Sequence, residues 1–134
     1  FVATYAGFIT MRACEQVRTF VAYPGLNVKM IGANGGIAAG EREGVTHQFF
    51  EDLGILRTIP GITIVVPADA GQVREAVKAV AYTAGPAYIR IGSGRDPVVF
   101  EKLAHRRLVR QVQFSAGPGD KIAESVFAQI VTDR

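Results

Sequence analysis

His47 is one of two histidines in the chain and lies in GEREGVTHQFFEDLGILRTIPG, residues 40–61. An imidazole gains and loses protons near neutrality, and neighbouring groups easily move its pKa. The pattern puts His47 where a glycine-flanked loop runs into a helix. Unpaired backbone N–H groups at such a junction favour anions. Two readings follow: His47 is aimed at a ligand, or Thr46 caps the helix and His47 is a first-turn surface residue. Spacing alone leaves both open. Of the nearby acids, Glu51 and Asp52 are adjacent, so on a helix they do not face each other as a dyad. Helix-start electrostatics suffices for both. Glu41 and Glu43, with Arg42 between them, fall in the loop and are freer to meet a ligand. His105, among arginines, reads as solvated.

Other segments offer weaker signals. Tyr5 and Phe8, three apart where strand passes into helix, can present an aromatic wall to a flat ring or simply pack in the core. GANGG, residues 32–36, lets backbone approach a ligand or only turns the chain. No G-x-G-x-x-G opens a helix and no G-K-[ST] appears, so it is not a phosphate-binding fingerprint. RIGSGRDP sets Arg90 and Arg95 beside glycines, suited to anions but equally ordinary on a surface. The lone Cys14 allows neither an internal disulfide nor a multi-cysteine metal site.

The elements that must position these residues follow from periodicity. Residues 1–5 suit a strand. Apolar residues at Phe8, Met11, Cys14, Val17 and Val21 mark one face of a helix over 8–22. Tyr23–Asn27 is a Pro-Gly turn, and 28–33 is a second strand. Residues 34–44 are glycine-rich and irregular. The pattern predicts a helix over 48–58 with Phe49, Phe50, Leu53 and Leu56 inward, stopping before Pro60. Residues 62–67 form a continuous apolar run, as in a buried parallel strand. Asp69 caps a helix through 84 whose face is Val73, Ala76, Val77, Val80 and Ala81. Gly85-Pro86 ends it, and 87–91 is a further strand. This order predicts an α/β fold: a three-layer, open, mostly parallel sheet with helices on both faces. Ligands on such sheets gather beyond the carboxyl ends of the strands. The suspect loops after Tyr5, Ala33 and Ile91 all follow strands. Residues 96–120 read as a connector or an extra element, with a final helix from Lys121.

With 134 residues, 49% of them apolar, the chain has material for a two- or three-layer core. Its charge of +3 comes largely from late residues such as Lys102, Arg106, Arg107 and Arg110, a solvated basic face. Without an aromatic-interleaved basic stripe, nucleic acid is not an expected partner. No apolar run reaches the roughly 18 residues of a membrane span, and no leader opens the chain, so a cytoplasmic location is the default. Because the chain opens directly inside a strand, it reads as a piece of something longer.

Taken together, FVATYAGFITMRACEQVR, LNVKMIGANGGIAAGEREGVTHQFFEDLGILRTIPGITIVVPAD and GPAYIRIGSGRDP resemble the pyrimidine-binding domain of the transketolase family. The C-terminal subunits of split transketolases are especially similar. The resemblance covers residues 1–97, read as a pyrimidine-binding domain incomplete at its N-terminus; 98–134 is an unassigned connector and possible C-terminal helix. It implies thiamine diphosphate held between this domain and a pyrophosphate domain on a partner subunit, which binds the diphosphate and Mg²⁺. This chain is thus expected to hold no metal itself. It implies an oligomer and transfer of a two-carbon ketol unit from a ketose to an aldose. Tyr5 and Phe8 match the aromatic wall against the aminopyrimidine, and Arg12 a cofactor-proximal position. His47 matches the catalytic histidine facing the donor, and Glu43 a contact to substrate hydroxyls.

The resemblance also carries departures. The family glutamate that activates the cofactor precedes the segment matching Phe1, so the isolated chain is expected to be inactive. Asn34 and Ser93 stand where relatives acting on sugar phosphates have histidine and arginine, with Arg95 as a substitute anion contact. All three are kept as substrate-binding candidates. The loop around Arg42 is one residue longer than usual. Two other functions follow from these departures: a different thiamine-dependent acyl or ketoacid reaction, or a non-catalytic module that docks a partner.

Overall fold

The computed structural model describes residues 1–37, 43–94, 98 and 111–113. Arg42, Arg95, His105 and the expected helix from Lys121 lie outside the described residues, as does most of 98–134.

Four parallel strands form the centre: β1 (Val2–Tyr5), β2 (Lys29–Ala33), β3 (Thr63–Val65) and β4 (Ala87–Arg90). A fifth strand, β5 (Gln111–Gln113), pairs antiparallel with β3, giving the order β1-β2-β4-β3-β5. The segment read as connector or extra element therefore contributes a strand at the sheet edge. Register brings the carboxyl ends level: Tyr5 stands opposite Ala33, and Gly32 opposite Arg90. The loops after β1, β2 and β4 consequently open on one edge, as expected.

Helices cover both faces because alternate strand residues point to opposite sides. Met30, Ile64 and Tyr88 meet Ile9, Val17 and Leu56 from the first helix and α2 (Asp52–Arg57). Ile31, Val65 and Ile89 meet Ala76 and Val80 of α3 (Ala70–Ala81) on the other face. Asp69 caps α3 as predicted, its carboxylate accepting from the Gln72 N–H at 2.9 Å. Ala81, assigned to the inner face, is exposed.

Two expectations are corrected. The helix over 8–22 is wound as α1 (Cys14–Gln16) between π segments, Phe8–Arg12 and Val17–Ala22. Ala13 N–H reaches back five residues to the Phe8 carbonyl, and Tyr23 N–H to that of Arg18. The wider turn shifts the phase of the apolar stripe, so Ile9 is buried while Met11 is 49% exposed. The helix expected from 48 begins only at Asp52. Phe49 cannot join it, because its N–H and carbonyl are both taken by Gly36 (3.1 and 2.6 Å). Phe50, unconstrained by that bridge, is exposed instead of inward.

Candidate active site

The site grows from the carboxyl end of β1. Tyr5 ends the strand, buried Ala6 and Gly7 turn the chain, and Phe8 opens the first helix. This abrupt passage sets the two rings side by side, centroids 5.3 Å apart. His47 meets both edge-on, 4.9 Å from Tyr5 at 89° and 5.2 Å from Phe8 at 61°. Such tilted contacts suit the charge distribution of aromatic faces and edges. The π winding brings Arg12 back over Phe8, with its Cζ 4.0 Å from the ring centroid, a cation–π arrangement. All three rings are half-buried, so they line a wall instead of filling a core.

His47 does not stand in a helix's first turn. It follows a 3-10 turn, Gly44–Thr46, and its N–H donates to the Gly44 carbonyl at 3.0 Å. Thr46 makes no side-chain cap there; its hydroxyl donates to the Glu43 carbonyl at 3.3 Å. The same oxygen lies 2.9 Å from His47 Nδ1. A hydroxyl has one proton. The threonine oxygen donates to Nδ1 or accepts from it according to the tautomer of the ring. His47 is therefore a half-buried imidazole beside a threonine hydroxyl and not a first-turn surface residue. Glu43 leads into this turn with an exposed side chain.

The next segment anchors the histidine. Phe49 is buried, its backbone bridged to Gly36, and its ring lies against Gly7. A Cβ on Gly7 would come 2.6 Å from Phe49 Cδ2, so a side chain there is excluded. The β2 loop packs from the other side. Asn34 takes a left-handed φ of 54°, which asparagine tolerates better than most residues. Gly35 N–H then donates to the Ile91 carbonyl at 2.8 Å, joining the Asn34 loop to the one carrying half-buried Ser93. Tyr5, Phe8, Arg12 and His47 are thus in one cluster. Asn34 and Ser93 sit on adjoining loops at the same edge, and Arg95 lies outside the described residues. Among the described residues no group of three or more His, Cys, Asp or Glu side chains is placed to hold a metal ion.

One polar cluster was not anticipated. Asp52, read as a helix-start acid, is fully buried. Its Oδ2 accepts from the Tyr88 hydroxyl at 2.7 Å and from Arg90 Nε at 3.0 Å. Asp52 Oδ1 is buried with no hydrogen-bond partner among the described residues. Burial, then the adjacent carboxylate, holds the Tyr88 phenol far above its ordinary pKa of 10.0. A sequence signal existed: Asp52 falls three residues after buried Phe49 and four before buried Leu56, on the inner stripe.

Comparison with known proteins bears on this geometry. The family described as "Transketolase, pyrimidine binding domain" matches residues 1–95. The chain is 45% identical over 91 residues to the 6-deoxy-6-sulfo-D-fructose transketolase subunit SqwH of Clostridium sp. (strain MSTE9), covering 68% of this chain and 28% of that protein. It is 43% identical over 101 residues to an apulose-4-phosphate transketolase subunit of Phocaeicola vulgatus, covering 75% and 32%. A solved structure described as "Split gene transketolase, inactive beta4 tetramer" superposes with a TM-score of 0.66 at 39% identity, covering 78% of this chain and 33% of that one. The chain spans about a third of the length of these relatives.

Proposed function

The chain belongs to the transketolase family, as its pyrimidine-binding domain, and we propose that it supplies the pyrimidine side of a thiamine diphosphate site for two-carbon ketol transfer. The observation that carries this reading is the Tyr5–Phe8–His47 cluster at the carboxyl edge of the sheet. A half-buried aromatic wall fits a flat, largely apolar heterocycle, and Tyr5 and Phe8 would hold it. Arg12, exposed over Phe8, would lie at the rim of that wall. The bound cofactor supplies the stabilised carbanion chemistry that breaks and makes the bond between ketose carbons. The residues of this chain orient and move protons. His47 exchanges a proton with a donor hydroxyl oxygen through Nε2, the ring nitrogen that Thr46 leaves free. Thr46 holds the ring through Nδ1. Glu43, at the entrance to the same turn, accepts from sugar hydroxyls. Asn34, Ser93 and Arg95 contact the far end of the substrate.

A pyrophosphate-domain partner subunit, carrying Mg²⁺ and the diphosphate, completes the site under this proposal. Split-subunit relatives support a partner of that kind. Those relatives are named for a sulfonated ketose and a phosphorylated one, so an anionic terminus is the first class of substrate to test. The decisive experiment combines the full subunit, its partner, thiamine diphosphate and Mg²⁺ with phosphorylated, sulfonated and neutral ketoses and an aldose acceptor. Ketol transfer is expected, and His47→Ala is expected to reduce kcat at least about 100-fold, the usual scale for a proton-transfer group. Transfer of an acyl unit from a 2-oxoacid, or undiminished turnover by His47→Ala, would overturn the proposal.

A further inference from the structure

His47 lies between a 3-10 turn and a short helix, so regular secondary structure does not fix its ring. Beyond the ring's own contacts with Tyr5, Phe8 and Thr46, the segment that carries it is held by contacts that lead away from the aromatic wall. Phe49, two residues on, is held by Gly36 through both backbone groups. The Gly35–Gly36 turn rests on the Arg90 side chain: a Cβ at Gly35 would come 2.8 Å from Arg90 Nε and 2.9 Å from its Cγ. Arg90 is in turn fixed by Asp52, three residues beyond Phe49, and Asp52 is fixed by Tyr88. The contacts close on themselves, from Asp52 through Arg90 and the glycine turn to Phe49 and back along the chain.

We propose that Tyr88, Asp52 and Arg90 are positioning residues that hold the His47 segment against the aromatic wall. The nature of the cluster favours this over a purely stabilising role. A carboxylate with no exposed surface and one oxygen unpaired among the described residues is a poor source of stability. Apolar side chains of similar volume usually do as well or better. A charged, directional contact offers one geometry, where apolar packing tolerates several. Arg90 Nε donates along one direction to one oxygen, which fixes the guanidinium plane beneath the turn. Any consequence for catalysis rests on the proposed role of His47; the positioning of its ring does not.

The test reads the imidazole directly. With two histidines in the chain, the proton spectrum carries two imidazole sets, and His47→Ala identifies one. In the wild-type chain, the His47 signals are expected to be displaced by ring currents from Tyr5 and Phe8. Asp52→Asn and Arg90→Gln are expected to lose that displacement, and Tyr88→Phe to reduce it. Val80→Ala, in the opposite core, provides a control with lowered thermal stability and unmoved His47 signals. Should Asp52→Asn fail to fold, Arg90→Lys, which keeps the charge without the Nε–H, makes the same comparison. In the completed enzyme the positioning variants are expected to lower kcat about 100-fold, the scale of an ångström-level misplacement, with cofactor affinity retained. Unmoved His47 signals in all positioning variants, or equal movement in Val80→Ala, would overturn the proposal. If wild-type assemblies transferred no ketol unit while these signals moved as expected, the reaction would be wrong and the positioning right.

Discussion

Lys29 and Arg90 are cations drawn into the fold at opposite ends of the paired strands β2 and β4. At the amino end, Lys29 is 3% exposed and donates its Nζ to the carbonyls of Thr83 and Gly85, at 2.6 and 2.5 Å. Those carbonyls follow α3, where a positive charge is favoured by the helix dipole. At the carboxyl end, Arg90 meets a buried carboxylate and a glycine turn, and its side chain keeps 22% of its surface exposed. The first cation closes off backbone and, among the described residues, hydrogen-bonds to no candidate site residue. The second touches the loops that carry one. Burial of a charge alone therefore does not mark function; the partner it is given does. Both cations tie segments far apart in the chain, but the carbonyl partners of Lys29 lie at the end of α3, whereas the carboxylate partner of Arg90 lies on the segment that follows His47.

The largest way to break this comparison is Arg90→Met. Leaving Asp52 buried and uncompensated is expected to cost roughly 3–5 kcal/mol in denaturant unfolding, and to release His47 as well. Lys29→Met should be smaller, about 2 kcal/mol, because two carbonyls lose a charged donor. Thermal melts should show that loss while the His47 imidazole signals stay in place. Movement of those signals would mean the two ends are coupled and the contrast fails.

Tyr88→Phe sharpens the same contrast through pH, at a cost near 1 kcal/mol in neutral buffer. The Tyr88 phenol has its folded pKa raised above the unfolded value of 10.0. The folded state therefore binds more protons above pH 10 than the unfolded chain does. The contribution is complete below pH 10 and is lost as pH rises beyond it, at about 1.4 kcal/mol per pH unit. Wild-type stability in urea should accordingly fall from pH 10 to 11, and the Tyr88→Phe variant should lose less over that interval.

Much of the fold was legible because burial imposes periodicity. The parallel core strands, the α3 face through Ala76 and Val80, and the Asp69 cap each depend on a local pattern of residue types. Even so, that pattern failed where distant backbone intervened. Phe49 looks helical by spacing, yet Gly36, thirteen residues before it, takes the hydrogen bonds that a helix would need. The stripe of the first helix was read one phase off, since side-chain spacing does not announce five-residue hydrogen bonds.

The sequence by itself determined the family, the α/β layering and the residue types gathered at one sheet edge, since each is carried by order and composition along the chain. Only the tertiary structure decided how those residues face one another. It set His47 edge-on to Tyr5 and Phe8, set its Nδ1 beside Thr46, and buried Asp52 against Tyr88 and Arg90. Those outcomes depend on strand register and on packing between segments tens of residues apart. Local spacing holds no record of either.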